Sequence, residues 1–133
     1  MSRISYRTGK THIFTFKWDI EVVVTNDEHG YVVSKGWYCS VKAGACHVGF
    51  PGDTKSVVVF AEIGTEGQLT HEAYHVVCSI YATLGIKRRD EESFAYLLED
   101  VVDSIMEVFK CIKNKKKRFI AKNSRRMIRG QNA

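Results

Sequence analysis

Hydrophobic and polar residues change their period once along the chain, at Gly64. Before that glycine the spacing is that of strands. His12 to Trp18 alternates through Ile13, Phe14, Phe16 and Trp18, and Asp19 to Thr25 carries the β-branched run Ile20-Glu21-Val22-Val23-Val24-Thr25. Asn26 to Gly30 is a cluster of turn formers, and shorter strands are expected over Tyr31–Ser34, Trp37–Lys42 and Cys46–Phe50, with a turn at Pro51-Gly52-Asp53. Ser56 to Ile63 is the strongest strand, and its continuous apolar character predicts burial on both faces.

After Gly64 the apolar positions fall three and four apart. Thr65 followed by Gln68 has the spacing of a capping box and Gly85 suits a left-handed helix end, so a helix is expected over 66–84. Leu69, Ala73, Val76, Val77, Ile80 and Leu84 form its core face. A second helix should open near Asp90, with Glu91 and Glu92 in its positive first turn, and Phe94 to Ile112 continue the apolar stripe for more than five turns. The pattern predicts an α+β fold: a mostly antiparallel N-terminal sheet, then two helices.

Composition sets limits. With 133 residues, 44% of them hydrophobic, the chain suits one domain with a real core, and no apolar run reaches the roughly 20 residues of a membrane span. The basic start MSRISYRTGK leads into no apolar stretch of the secretory kind, so a cytoplasmic location is expected. Cys39, Cys46, Cys78 and Cys111 show no CxxC pair and are expected to be free thiols; a metal site of Cys39, Cys46 and His47 is the local alternative, though their spacing fits no zinc-finger pattern. The net charge of +5 hides a split. From Lys110 to the end stand ten Lys or Arg and no acid, while the rest of the chain holds ten basic against fifteen acidic residues. A domain over 1–112 with a basic tail over 113–133 is therefore expected, the tail a solvated charge run or a contact for nucleic acid or an acidic partner.

The candidate chemistry lies in His71-Glu72-Ala73-Tyr74-His75. Residues four apart on a helix differ by only about 40° around the axis, so the two imidazoles share a face and can reach one metal. Glu72, turned about 100° from His71, can hold a water beside that metal and take its proton. A catalytic zinc takes three protein ligands and leaves one position open. The acidic start of the second helix offers Glu91 and Glu92, although His71 and His75 lie early in a helix that ends at Leu84, so the connection must bring that start back alongside them. The alternative is a pair of solvated first-turn carboxylates. His12, His29 and His47 receive no ligand role.

HEAYH followed by Glu92-Ser93-Phe94-Ala95 resembles the gluzincin zinc peptidases, in which a later glutamate, often in an ExxA context, completes the site; the similarity spans roughly residues 20–103 and is strongest over 69–98. The chain looks most like small metallopeptidase-like proteins of bacteriophages. The resemblance implies a zincin-like fold, a Zn²⁺ cofactor held by His71, His75 and Glu92 with Glu91 as rival, and Glu72 as general base of peptide hydrolysis. It also implies a protein or peptide substrate and a host cytoplasm or virion setting. An oxyanion stabiliser of the larger gluzincins has no clear counterpart; Tyr74, Arg89 and Tyr96 are candidates. Val57–Ile63 is either the cleft edge or an interior strand. The competing function is a non-catalytic zincin scaffold that binds a partner, with the basic tail as its contact.

Overall fold

A computed structural model describes residues 3–37, 44–62, 64–87 and 91–131, with side chains beyond Lys115 described only at Lys122. Four strands form one sheet: β1 (Tyr6–Ile13), β2 (Trp18–Thr25), β3 (Ala45–Gly49) and β4 (Lys55–Ala61), with α1 (Glu28–Ser34) between β2 and β3. Two long helices follow, α2 (Glu66–Leu84) and α3 (Glu91–Gln131). The fold is α+β, as expected. The strand order is β1-β2-β4-β3; the outer pairings β1–β2 and β3–β4 are antiparallel and the central β2–β4 pairing is parallel.

Three expectations in the first half need correction. His12–Trp18 is not a strand, because β1 ends at Ile13, Phe14–Phe16 make a 3₁₀ turn, and Lys17 closes it with φ 51° before β2 begins. Its apolar alternation misleads, since Phe14 is 85% exposed. The strand stands earlier, where polar Arg7, Thr8 and Lys10 suit a sheet edge. Tyr31–Ser34 is the end of α1 rather than a strand: Asp27 caps that helix by accepting the Gly30 N–H at 3.0 Å. Last, β4 is interior, flanked by β2 and β3, so the cleft-edge alternative for Val57–Ile63 fails and β3 is the edge on that side. The strand expected over Trp37–Lys42 falls almost wholly outside the described residues, as do Arg89 and the cap Asp90.

The sheet has two apolar faces. On one, Val23, Cys46, Val48, Val57 and Val59 pack under Tyr31 and Val32 of α1. The other carries Ile20, Val22, Val24, Val58 and Phe60 against α2 and α3. The residues expected for α2's core face, Leu69, Ala73, Val76, Val77 and Ile80, are all buried, while Leu84 is exposed. Thr65 and Gln68 form the capping box, and Gly85 ends the helix at φ 67°. Because α2's bounds and its cap are both local properties, they follow the sequence closely.

Helix α3 returns along α2. Phe94 lies against Tyr81 and Tyr74, and fifteen residues later Phe109 meets Phe60 and the Gly64 that precedes α2. It then crosses β1 at Gly9, where a Cβ would stand 2.5 Å from Val108 Cγ1. The glycine is what lets helix and strand approach. Gly9→Ala should therefore cost about 1–2 kcal/mol, read as a lower urea midpoint, the steric cost outweighing the gain from a stiffer unfolded chain. The backbone of α3 runs unbroken to Gln131, so the basic tail over 113–133 extends the helix, one of the two courses open to it, and Ile112 is the last buried residue among those described. Cys46 is buried, Cys78 half-buried and Cys111 exposed, with no disulfide among the described residues; Cys39 is outside them. Cys46 packs on the α1 face and so points away from its neighbour His47, which separates the Cys39–Cys46–His47 alternative. No helix among the described residues is long and apolar enough to cross a membrane.

Candidate metal centre

Four-residue spacing brings the two motif histidines together as expected. His71 and His75 are exposed one turn apart on α2, and their Nε2 atoms stand 3.2 Å apart, one donating to the other. Two nitrogens each about 2.0–2.1 Å from a tetrahedral zinc lie about 3.3 Å apart, so this spacing fits a shared ion. Glu72 turns the other way and is only 5% exposed.

The surroundings of Glu72 come from a distant part of the chain. Glu28, in the first turn of α1, accepts the Gly44 N–H at 2.6 Å through Oε1, and its Oε2 is buried with no hydrogen-bond partner among the described residues. Burial pushes the Glu72 carboxyl above the ordinary carboxylate value; the Glu28 charge raises it further, and His71 opposes both. A carboxyl raised in this way holds its proton closer to neutral pH, which is the property a general base or acid needs. The pair Glu28 and Glu72 was not legible from local pattern. Asp27-Glu28 marks a helix start in the sequence, but which helix that start faces is a tertiary fact.

A third histidine joins the group. His47, on edge strand β3, stacks its ring on His75 at 6.1 Å between centroids and 17° between planes. Its Nε2 meets Ser56 Oγ at 3.1 Å, and the buried Trp18 Nε1–H donates to that same oxygen at 3.1 Å. Burial, with His75 as a lesser cause, lowers the His47 pKa to about 4, and burial also lowers His75. The signal for His47 was available only in part: alternation along β3 puts it on the face of Ala45 and Gly49, yet nothing local says that α2 covers that face.

The low basicity of His47 has a consequence for acid stability. An unfolded histidine titrates near 6.5, so between about pH 6.5 and 4 the unfolded chain takes up a proton that folded His47 refuses, and stability falls as pH drops through that window. The loss attributable to His47 is on the order of 2–3 kcal/mol. In the presence of a chelator, His47→Gln should flatten the slope of unfolding free energy between pH 6.5 and 4, measured by urea titration at several pH values; an unchanged slope would show that His47 titrates normally.

The acidic start of α3 is placed less closely. Glu91 and Glu92 are both exposed, and Phe94 between Tyr74 and Tyr81 sets their turn against the later part of α2. Among the described residues no three His, Cys, Asp or Glu side chains stand together as metal ligands, so the structure brings His71 and His75 together but does not add Glu92 to them. Tyr74 and Tyr96, the described oxyanion candidates, are exposed. Of the remaining histidines, His12 contacts the Asp19 carboxylate at 2.6 Å, on β1 and β2 and away from α2.

Farther along α2, at the same four-residue step, Ser79 and Thr83 line an open cleft of about 400 Å³ with Trp18 and the Gly49–Gly52 turn. His71, His75, Ser79 and Thr83 thus form one row beside the edge strand, a shape suited to an extended ligand. No family model matches the chain, and neither a curated protein nor a solved structure with significant similarity to it is found.

Proposed function

We propose that the protein is a zinc-dependent metallopeptidase in which His71 and His75 hold the ion and Glu72 is the general base. The observation that carries this reading is the 3.2 Å separation of the two Nε2 atoms, at the spacing two ligands of one zinc require, with a buried carboxylate on the residue between them in the motif. When bound, zinc supplies a Lewis acid that lowers the pKa of water and polarises a carbonyl.

The chain's own residues supply the rest. Glu72 accepts the proton of a water, and burial, which raises its carboxyl, keeps that proton available for transfer to a leaving amine. The cleft past Ser79 gives an extended peptide a place to lie. The third protein donor is assigned to Glu92, with Glu91 as the rival on the same turn. The zincin-like fold belongs to the same proposal, with β3 as the strand beside the site.

Zinc content of protein purified without a histidine tag tests the reading. About one zinc per chain is expected, and Glu92→Gln should weaken uptake while Glu91→Gln leaves it unchanged. A wild-type chain that takes up no zinc after exposure to the ion would overturn the proposal, and equal effects of the two glutamine variants would overturn the choice of Glu92.

A further inference from the structure

We infer that His47, anchored through Ser56 to Trp18, is a positioning residue that sets the ring of His75 for metal capture. The inference rests on the metal-site reading above and deepens it. His75 is exposed on a helix surface, where an imidazole has several rotamers open to it, and each metal-binding event must select one. A parallel ring at 6.1 Å limits that choice, since the separation lies within the range of offset stacking.

The platform itself is fixed by a hydrogen-bonded chain. Trp18 Nε1–H can only donate, so Ser56 Oγ accepts from it, and the same hydroxyl bonds His47 Nε2, as donor or as second acceptor according to the histidine tautomer. Trp18 and Ser56 are each 1% exposed, and β4 holds Ser56 opposite Gly49 in the register that also pairs His47 with Val58. His47 is thereby tied to the sheet through its Nε2. Sheet geometry passes to His75 through ring contact, and His75 Nε2 then stands 3.2 Å from His71 Nε2. Metal sites commonly orient a ligand histidine by a hydrogen bond from an outer residue; here the orienting contact is a stacked ring, and the hydrogen bond lies one residue farther out.

The test compares zinc affinity, by competition with a chromophoric chelator, in the wild type and in His47→Ala, His47→Phe and Ser56→Ala. Loss of the platform should weaken zinc about 10–100-fold in His47→Ala, the range seen when outer-shell partners are removed, with partial recovery in His47→Phe, which restores a flat ring. Ser56→Ala should fall between. Far-ultraviolet circular dichroism confirms that each variant is folded. Equal zinc affinity in wild type and a folded His47→Ala overturns the inference.

A second readout needs no metal. In chelator-treated protein, nitrogen-15 correlation spectra should show the His75 ring resonances shifted by His47→Ala and those of His47 shifted by Ser56→Ala. Unmoved His75 signals overturn the positioning role even if zinc binds. A wild type that binds no zinc but shows both spectral effects overturns the metallopeptidase reading alone, so the two failures are distinguishable.

Discussion

Glu72→Gln should leave zinc uptake intact and reduce peptide hydrolysis about 10²–10⁴-fold, the range contributed by a positioned general base. Glutamine keeps the shape and the burial of the side chain but cannot take a proton. The stability of the variant separates this role from a structural one. Glu72 is 5% exposed and lies near the Glu28 charge, so its carboxyl is held above the ordinary value and its ionisation works against the fold as pH rises. Removing that group should leave stability at pH 8 unchanged or higher. Loss of hydrolysis together with a matched or raised urea midpoint is the expected pair of results. Full activity in the variant would remove Glu72 from the mechanism.

The largest expected effect on stability comes from Phe60→Ala. Phe60 is fully buried in the central strand β4, its ring meets Phe109 edge-on at 5.4 Å, and Gly64 packs beside its Cβ. Truncation removes the contact by which α3 is held to the sheet next to the start of α2. Large-to-small changes of this kind cost about 3–5 kcal/mol, a large share of the 5–15 kcal/mol typical of a whole domain. The urea midpoint should fall steeply with an unchanged slope. Phe60→Leu, which keeps most of the volume, should cost far less, and equal losses for both would argue against ring packing as the cause.

How much of this could be read from the chain depended on how local each signal was. Helix α2 was legible to the residue because Thr65, Gln68 and Gly85 carry its ends and the apolar spacing carries its face. The strand β4 was legible because four consecutive buried positions, Val57 to Phe60, need cover on both sides. By contrast β1 is an edge strand with polar residues facing out, and a glycine in its middle that only the crossing of α3 explains. Short α1 contains Gly30 and the β-branched Val32 and Val33, which favour a strand reading, and its cap at Asp27 was the one contrary sign.

The candidate site divides in the same way. That His71 and His75 share a face follows from helical geometry alone, and their measured spacing agrees. The raised pKa of Glu72 does not follow, because burial in the fold causes most of it and the Glu28 charge, more than twenty residues away in sequence, adds to it. Nor does the part played by His47, which depends on α2 lying over the edge of the sheet. The position of Glu92 relative to the histidines is fixed by how Phe94 seats between two tyrosines, and a helix-start pattern carries no information about that seat.

The parallel seam between β2 and β4 also bears on the order in which the molecule forms. The β1–β2 hairpin closes through a few residues at the Phe14–Phe16 turn, and β3–β4 closes through the Pro51–Asp53 turn, so each ribbon can assemble early from neighbouring chain. Joining them pairs Asp19 with Lys55 and Thr25 with Ala61, which requires loop closure across α1 and β3 and is the entropically slow step. Trp18 on β2 and Ser56 on β4 come together only once that seam has zipped, which makes their hydrogen bond a late reporter of the folding reaction.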